Sequence, residues 1–127
     1  MADDPTVPGT APRLRLRIQF GGQAMLGPGK ADLLGRIREA GSIAAAGRAM
    51  GMSYKRAWNL VEEMNRAFRE PLVGRTRGGP SGGGAHLTEA GDRVLAHYRR
   101  LEESAARAGA ADVAALQALL RDRPDET

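Results

Sequence analysis

Polar and apolar residues alternate strictly from Arg13 to Phe20, which puts Leu14, Leu16, Ile18 and Phe20 on one face of a predicted strand. Gly21-Gly22 and Gly27-Pro28-Gly29 bracket a short second stretch, and the period then changes to that of a helix. This first helix is expected from about Lys30 to Ala40, with Leu33, Leu34 and Ile37 inward and Gly41 as its stop. Ser42 has the chemistry of an N-cap for a short helix, Ile43 to Met50, which ends at Gly51. Ser53 then caps a longer one, Tyr54 to about Arg69. Projected at about 100° per residue, that helix gathers Ala57, Leu60, Val61, Met64 and Phe68 on one side and Lys55, Asn59, Glu62 and Arg66 on the other.

Leu72 to Arg77 and Ala85 to Leu87 read as the two strands of a hairpin, with a glycine-rich tip from Gly78 to Gly84 between them. Thr88 introduces a long last helix, Glu89 to Ala108, in which Val94, Tyr98, Leu101, Ala105 and Ala108 step by four, three, four and three. That spacing describes a coiled-coil seam and predicts a dimer contact. Gly109 breaks the helix, and Val113, Leu116 and Leu120 mark a weaker final one.

Strand, helix, short helix, tight turn, longer helix and hairpin, in that order, make a mainly α fold with a small β-sheet: a winged helix-turn-helix with a long C-terminal dimerisation helix. Residues 1–12 are then an N-terminal tail, 13–108 the winged helix-turn-helix and dimerisation domain, and 109–127 a helical extension and tail. The 127 residues suffice for one such core, and with only 4% aromatic residues it must be built from Leu, Ile, Val, Met and Ala. A core so thin gains from a dimer.

Charge narrows the function. Residues 48–77 hold seven basic and three acidic groups, against six and four before them and six and eight after. A basic middle third is the electrostatic footprint of a polyanion binder. No run of apolar residues is long enough for a membrane span and Met1 to Pro12 lacks the pattern of a signal peptide, so a cytoplasmic protein with no membrane partner is expected. No Cys and two separated histidines, His86 and His97, argue against a metal site, and no cofactor is expected.

The chemistry concentrates where the charge does. The small residues Ala44, Ala45, Ala46 and Gly47 let a second helix cross closely, Gly51 makes the turn and Met52 fills the angle. The first turns of the second helix carry Ser53, Tyr54, Lys55, Arg56 and Asn59, side chains suited to base edges and phosphates. Ser42 stands beside them at the start of the preceding helix, and Arg75 and Arg77 lie on one face of the wing strand, where arginines hold phosphates or enter the minor groove. The plainer alternatives are a tightly packed helical corner, a solvated helix face and a solvated hairpin. Trp58, at the edge of the apolar stripe, reads as core rather than as a base-stacking platform. Leu14, Leu16, Val94, Tyr98, Leu101 and Ala105 are the expected dimer contacts.

Ser53-Tyr54-Lys55-Arg56-Ala57-Trp58, Glu63-Met64-Asn65, Leu72-Val73 and the run Gly82-Gly83-Gly84-Ala85-His86-Leu87-Thr88-Glu89-Ala90-Gly91 together resemble the N-terminal domain of the molybdate-dependent transcriptional regulators, the ModE family. The resemblance covers about residues 13–105. It implies a dimer made by the N-terminal strand and the helix after the wing, with the Tyr54 helix in the major groove of double-stranded DNA. Members that sense molybdate carry a C-terminal pair of small β-barrel modules, whereas the sequence in hand continues as an acidic helical tail. Molybdate binding by this chain alone is therefore not expected. The same motif resembles LysR-type regulators more distantly.

Enzymatic readings fall away. Gly79-Pro80-Ser81-Gly82-Gly83 has the letters of a nucleophile elbow but lacks the strand-turn-helix setting that strains one, and Gly29-Lys30 lacks the rest of a phosphate-binding loop. The expectation is a sequence-specific, homodimeric regulator acting on an inverted repeat and linked to molybdenum metabolism. The alternatives are a non-specific architectural DNA binder and a dimeric oxyanion-binding module.

Overall fold

The computed structural model describes residues 11–22, 24–76 and 84–121, which divide into two compact units: residues 16–99, and residues 11–15 together with 100–121. The first unit holds the core. Its elements are β1 (Ile18–Gln19), β2 (Met25–Leu26), α1 (Pro28–Ala40), α2 (Ile43–Ala49), α3 (Tyr54–Ala67), β3 (Val73–Thr76), β4 (Gly84–Leu87) and the first half of α4 (Glu89–Ala108). β1 pairs antiparallel with β2, and β3 with β4 in the register Val73 to Leu87. This is the winged helix-turn-helix, with β3 and β4 as the wing.

Local chemistry sets most of the boundaries. α1 starts two residues before Lys30, because Pro28, read from sequence as punctuation, occupies the first turn where its missing N–H costs nothing. Gly41 ends α1 at φ +76°, its N–H donating to the Ile37 carbonyl at 2.8 Å. Ser42 Oγ accepts from the Ala45 N–H at 3.0 Å and Ser53 Oγ from the Arg56 N–H at 3.1 Å, so both predicted caps are formed. Leu33, Leu34 and Ile37 of α1 are fully buried against Ala46 of α2 and Ala57, Val61 and Met64 of α3. Trp58 packs at the border of this cluster, half-buried, as its place beside the stripe implied.

Two further expectations change. The alternating stretch becomes a strand only at Ile18–Gln19; residues 11–17 have no strand assignment, and Phe20, 54% exposed, sets its ring edge-on to Phe68 at 6.2 Å. Alternation sorts side chains onto faces, but a strand also needs a partner backbone, and β2 supplies only two residues of it. The stripe of α4 also shifts. Gly91, Leu95 and Tyr98 are its buried residues, and the Tyr98 hydroxyl donates to the Leu16 carbonyl at 2.6 Å. The seam drawn through Val94, Tyr98 and Leu101 therefore shares Tyr98 with the chain's own core, where that ring is 2% exposed.

In the second unit α4 runs on to Ala108, Gly109 makes the turn, and α5 (Ala110–Ala118) follows with no buried residue. Gly109 is close to Leu14: a Cβ there would lie 3.9 Å from Leu14 Cδ1. Leu14 is 38% and Leu101 44% exposed, while Ala105 is half-buried. Among the described residues no helix is long and apolar enough to cross a membrane.

Candidate nucleic-acid interface

The corner between α2 and α3 is closed by small residues. A Cβ on Gly47 would stand 3.0 Å from the Ala57 Cβ and 3.5 Å from the Met52 backbone oxygen, so the two helices cross nearly in backbone contact. Gly51 turns the chain at φ +73°, and the Met52 N–H returns to the Gly47 carbonyl at 2.9 Å. Met52 itself packs on the core from the angle between the helices.

This corner commits one side of α3 inward and frees the other at its N-terminal end. Ser53, Tyr54, Lys55, Arg56 and Asn59 are all exposed, with Tyr54 at 52%. Lys55, Arg56 and Asn59 sit within two turns, opposite the buried Ala57, Val61 and Met64. Exposed donors gathered at one helix start can be satisfied by phosphate oxygens or base edges without disturbing the fold. Ser42 is half-buried, and its Oγ is engaged at the start of α2 by the Ala45 N–H.

The two glutamates further along α3, Glu62 and Glu63, differ in their surroundings. Glu63 pairs with Lys30 at 3.2 Å, and Lys30, 9% exposed, also donates from Nζ to the Met25 carbonyl at 3.2 Å. Sequence reading missed this buried lysine because it assigned Lys30 to the helix start, where charge is ordinary. Glu62 is half-buried.

The wing is anchored at its base by a compact set of polar contacts. The Thr88 N–H donates to the Leu72 carbonyl at 2.9 Å, Thr88 Oγ1 donates to the Pro71 carbonyl at 2.6 Å, and the same oxygen accepts from the Gly91 N–H at 3.0 Å. Asn65, on the border of the apolar stripe of α3, bonds the backbone of Leu72 and Val73. Its signal in the sequence was a lone amide flanked by Met64 and by Val61 and Phe68 one turn away on either side. On the outer part of the wing Thr76 Oγ1 meets His86 Nδ1 at 3.0 Å, and Arg75 is exposed. Arg77 lies outside the described residues. Among those described, no three His, Cys, Asp or Glu side chains converge as a metal site requires.

Comparison with known proteins agrees with this geometry. Residues 32–92, which run from α1 to the first turn of α4, match the model of the bacterial regulatory helix-turn-helix protein, lysR family. The chain is 43% identical over 84 residues to the molybdenum-pterin-binding protein MopB of Rhodobacter capsulatus, covering 66% of this chain and 31% of that one. It is 47% identical over 70 residues to the molybdenum transport protein ModE of Azotobacter vinelandii, covering 55% and 26%. It is 41% identical over 76 residues to the DNA-binding transcriptional dual regulator ModE of Escherichia coli K12, covering 60% and 29%. The matched region thus spans about a third or less of each relative's length.

Proposed function

We propose that this chain, whose residues 32–92 match the bacterial regulatory helix-turn-helix proteins of the lysR family and which is similar to the ModE regulators, is a sequence-specific transcriptional regulator that binds an inverted repeat as a homodimer. The observation that carries this reading is the first two turns of α3. Tyr54, Lys55, Arg56 and Asn59 all face solvent from a helix whose other side is locked by the Gly47–Ala57 crossing. The names of the relatives support a link to molybdenum metabolism. Molybdate recognition is not assigned to these residues.

Selection from a pool of random duplexes tests it. Enrichment of an inverted repeat with half-site centres a whole number of turns apart, roughly 34 Å each, is the expected result. Binding without enrichment would make the protein an architectural DNA binder, and no binding at 100 mM salt would end both readings.

The wing is assigned to the DNA backbone, through Arg75 and, by its place in the sequence, Arg77. Arg75→Ala should weaken binding to selected and scrambled duplexes alike and reduce the slope of log affinity against log salt by about one. An altered base preference with the slope intact would instead make Arg75 a reader of sequence.

The dimer contacts are assigned to Leu14, Leu101 and Ala105 in the one unit, of which Leu14 and Leu101 are exposed, and to Leu16 and Val94 in the other, where Tyr98 is held within its own chain. Leu101→Asp should convert a micromolar dimer to monomer in sedimentation while leaving helix content unchanged. A wild-type chain that sediments as monomer throughout would remove the reason to expect a two-fold site.

A further inference from the structure

The wing hairpin is held along both of its edges. In an antiparallel pair, alternate residues turn their N–H and C=O away from the partner strand, toward whatever lies alongside. On β4 that residue is Ala85, whose N–H donates to the Gly41 carbonyl at 2.8 Å, at the junction of α1 and α2. On β3 it is Val73. Its N–H donates to Asn65 Oδ1 at 3.1 Å and its carbonyl accepts from Asn65 Nδ2 at 3.2 Å, while the Leu72 N–H gives the same Oδ1 a second bond at 2.8 Å. One carboxamide therefore fills the place that a third strand's peptide would take. It does so from α3, about three turns beyond Tyr54. Val73 is in turn two residues from Arg75.

We propose that Asn65 is a positioning residue for DNA binding, fixing the wing against α3 so that Arg75 and the first turn of α3 engage one duplex together. The proposal rests on the DNA-binding reading above. Buried Val73 and Ala85 keep the hairpin docked, but apolar contact has little directionality, whereas three hydrogen bonds to one planar group fix an angle. Two contact points held at a fixed spacing bind more tightly than the same two on a loose joint, because the second contact forms without a further search.

A double-mutant cycle on the full chain separates this role from general stability. Asn65→Ala and Arg75→Ala are measured singly and together against the selected duplex, at a temperature where melting curves show every variant folded. Each single change should weaken binding about tenfold, and the pair no more than about twofold beyond the weaker single, since a misplaced wing has no contact left to lose. Should Asn65→Ala fail to fold, Asn65→Gln, which keeps the amide but displaces it by one methylene, takes its place in the cycle. Losses that multiply to about a hundredfold would overturn the proposal while leaving DNA binding intact. So would wild-type affinity in a folded Asn65 variant, or an Arg75→Ala change without effect. A wild-type chain that binds no duplex would sink the underlying reading as well.

Discussion

Gly91→Ala should destabilise residues 16–99 by about 3 kcal/mol, although it adds a single methyl to a helix and so improves local helix propensity. A Cβ at this position would be driven into the Leu72 carbonyl, with the Leu72 carbon 3.0 Å away. Backbone is on both sides of that contact, so no rotamer change relieves it. The first turn of α4 would have to move off the root of the wing, pulling Thr88 from the Pro71 carbonyl and from the Gly91 N–H. Gly29, in the first turn of α1, is the matched control, because a Cβ there meets nothing within 4 Å. Gly29→Ala should be neutral or stabilising by about 0.5 kcal/mol. Urea denaturation followed by circular dichroism measures both. Equal midpoints for Gly91→Ala and the wild type would mean that α4 does not lie against the wing root as described.

Gly91 also shows why parts of this molecule were legible in the sequence and others were not. The run from Leu87 to Gly91 was recognisable as a motif, yet the reason for its residue types appeared only with Leu72, nineteen positions back, in place. Features decided within four or five residues were readable directly: the caps at Ser42 and Ser53, the turns at Gly41 and Gly51, and the bounds of α4 from Glu89 to Ala108. Features that depend on which distant backbone lies alongside were not. Alternation from Arg13 to Phe20 carries no information on the length of the partner strand, and β2 is short. On α4 two stripes overlap at Tyr98, and periodicity alone favours the more regular one, whereas Leu95 and Gly91 are the residues that meet the core. Asn65 and Lys30 are polar groups given meaning by carbonyls and a carboxylate elsewhere in the chain.

Sequence discrimination should reside in Arg56 and Asn59, and here the local and distant parts of the molecule join. The Ser53 cap fixes where α3 begins, and the Gly47–Ala57 crossing fixes which way it faces. Together they leave these two side chains exposed about one turn apart on the accessible side. Arginine can make two hydrogen bonds to the O6 and N7 of guanine and asparagine two to the N6 and N7 of adenine, so each can favour one base pair over the other three. Arg56→Ala or Asn59→Ala should then cost on the order of 1–3 kcal/mol on the selected duplex and little on a scrambled one. Lys55→Ala is the contrasting change. A flexible ammonium with no preferred fork acts mainly on phosphate, so its loss should be similar on both duplexes and steeper at low salt. Competition titrations of the three variants against both duplexes, at two salt concentrations, separate the roles. If Arg56→Ala and Asn59→Ala lowered affinity for both duplexes equally, the first turns of α3 would be holding the backbone, and sequence preference would have to come from the deformability of the DNA instead.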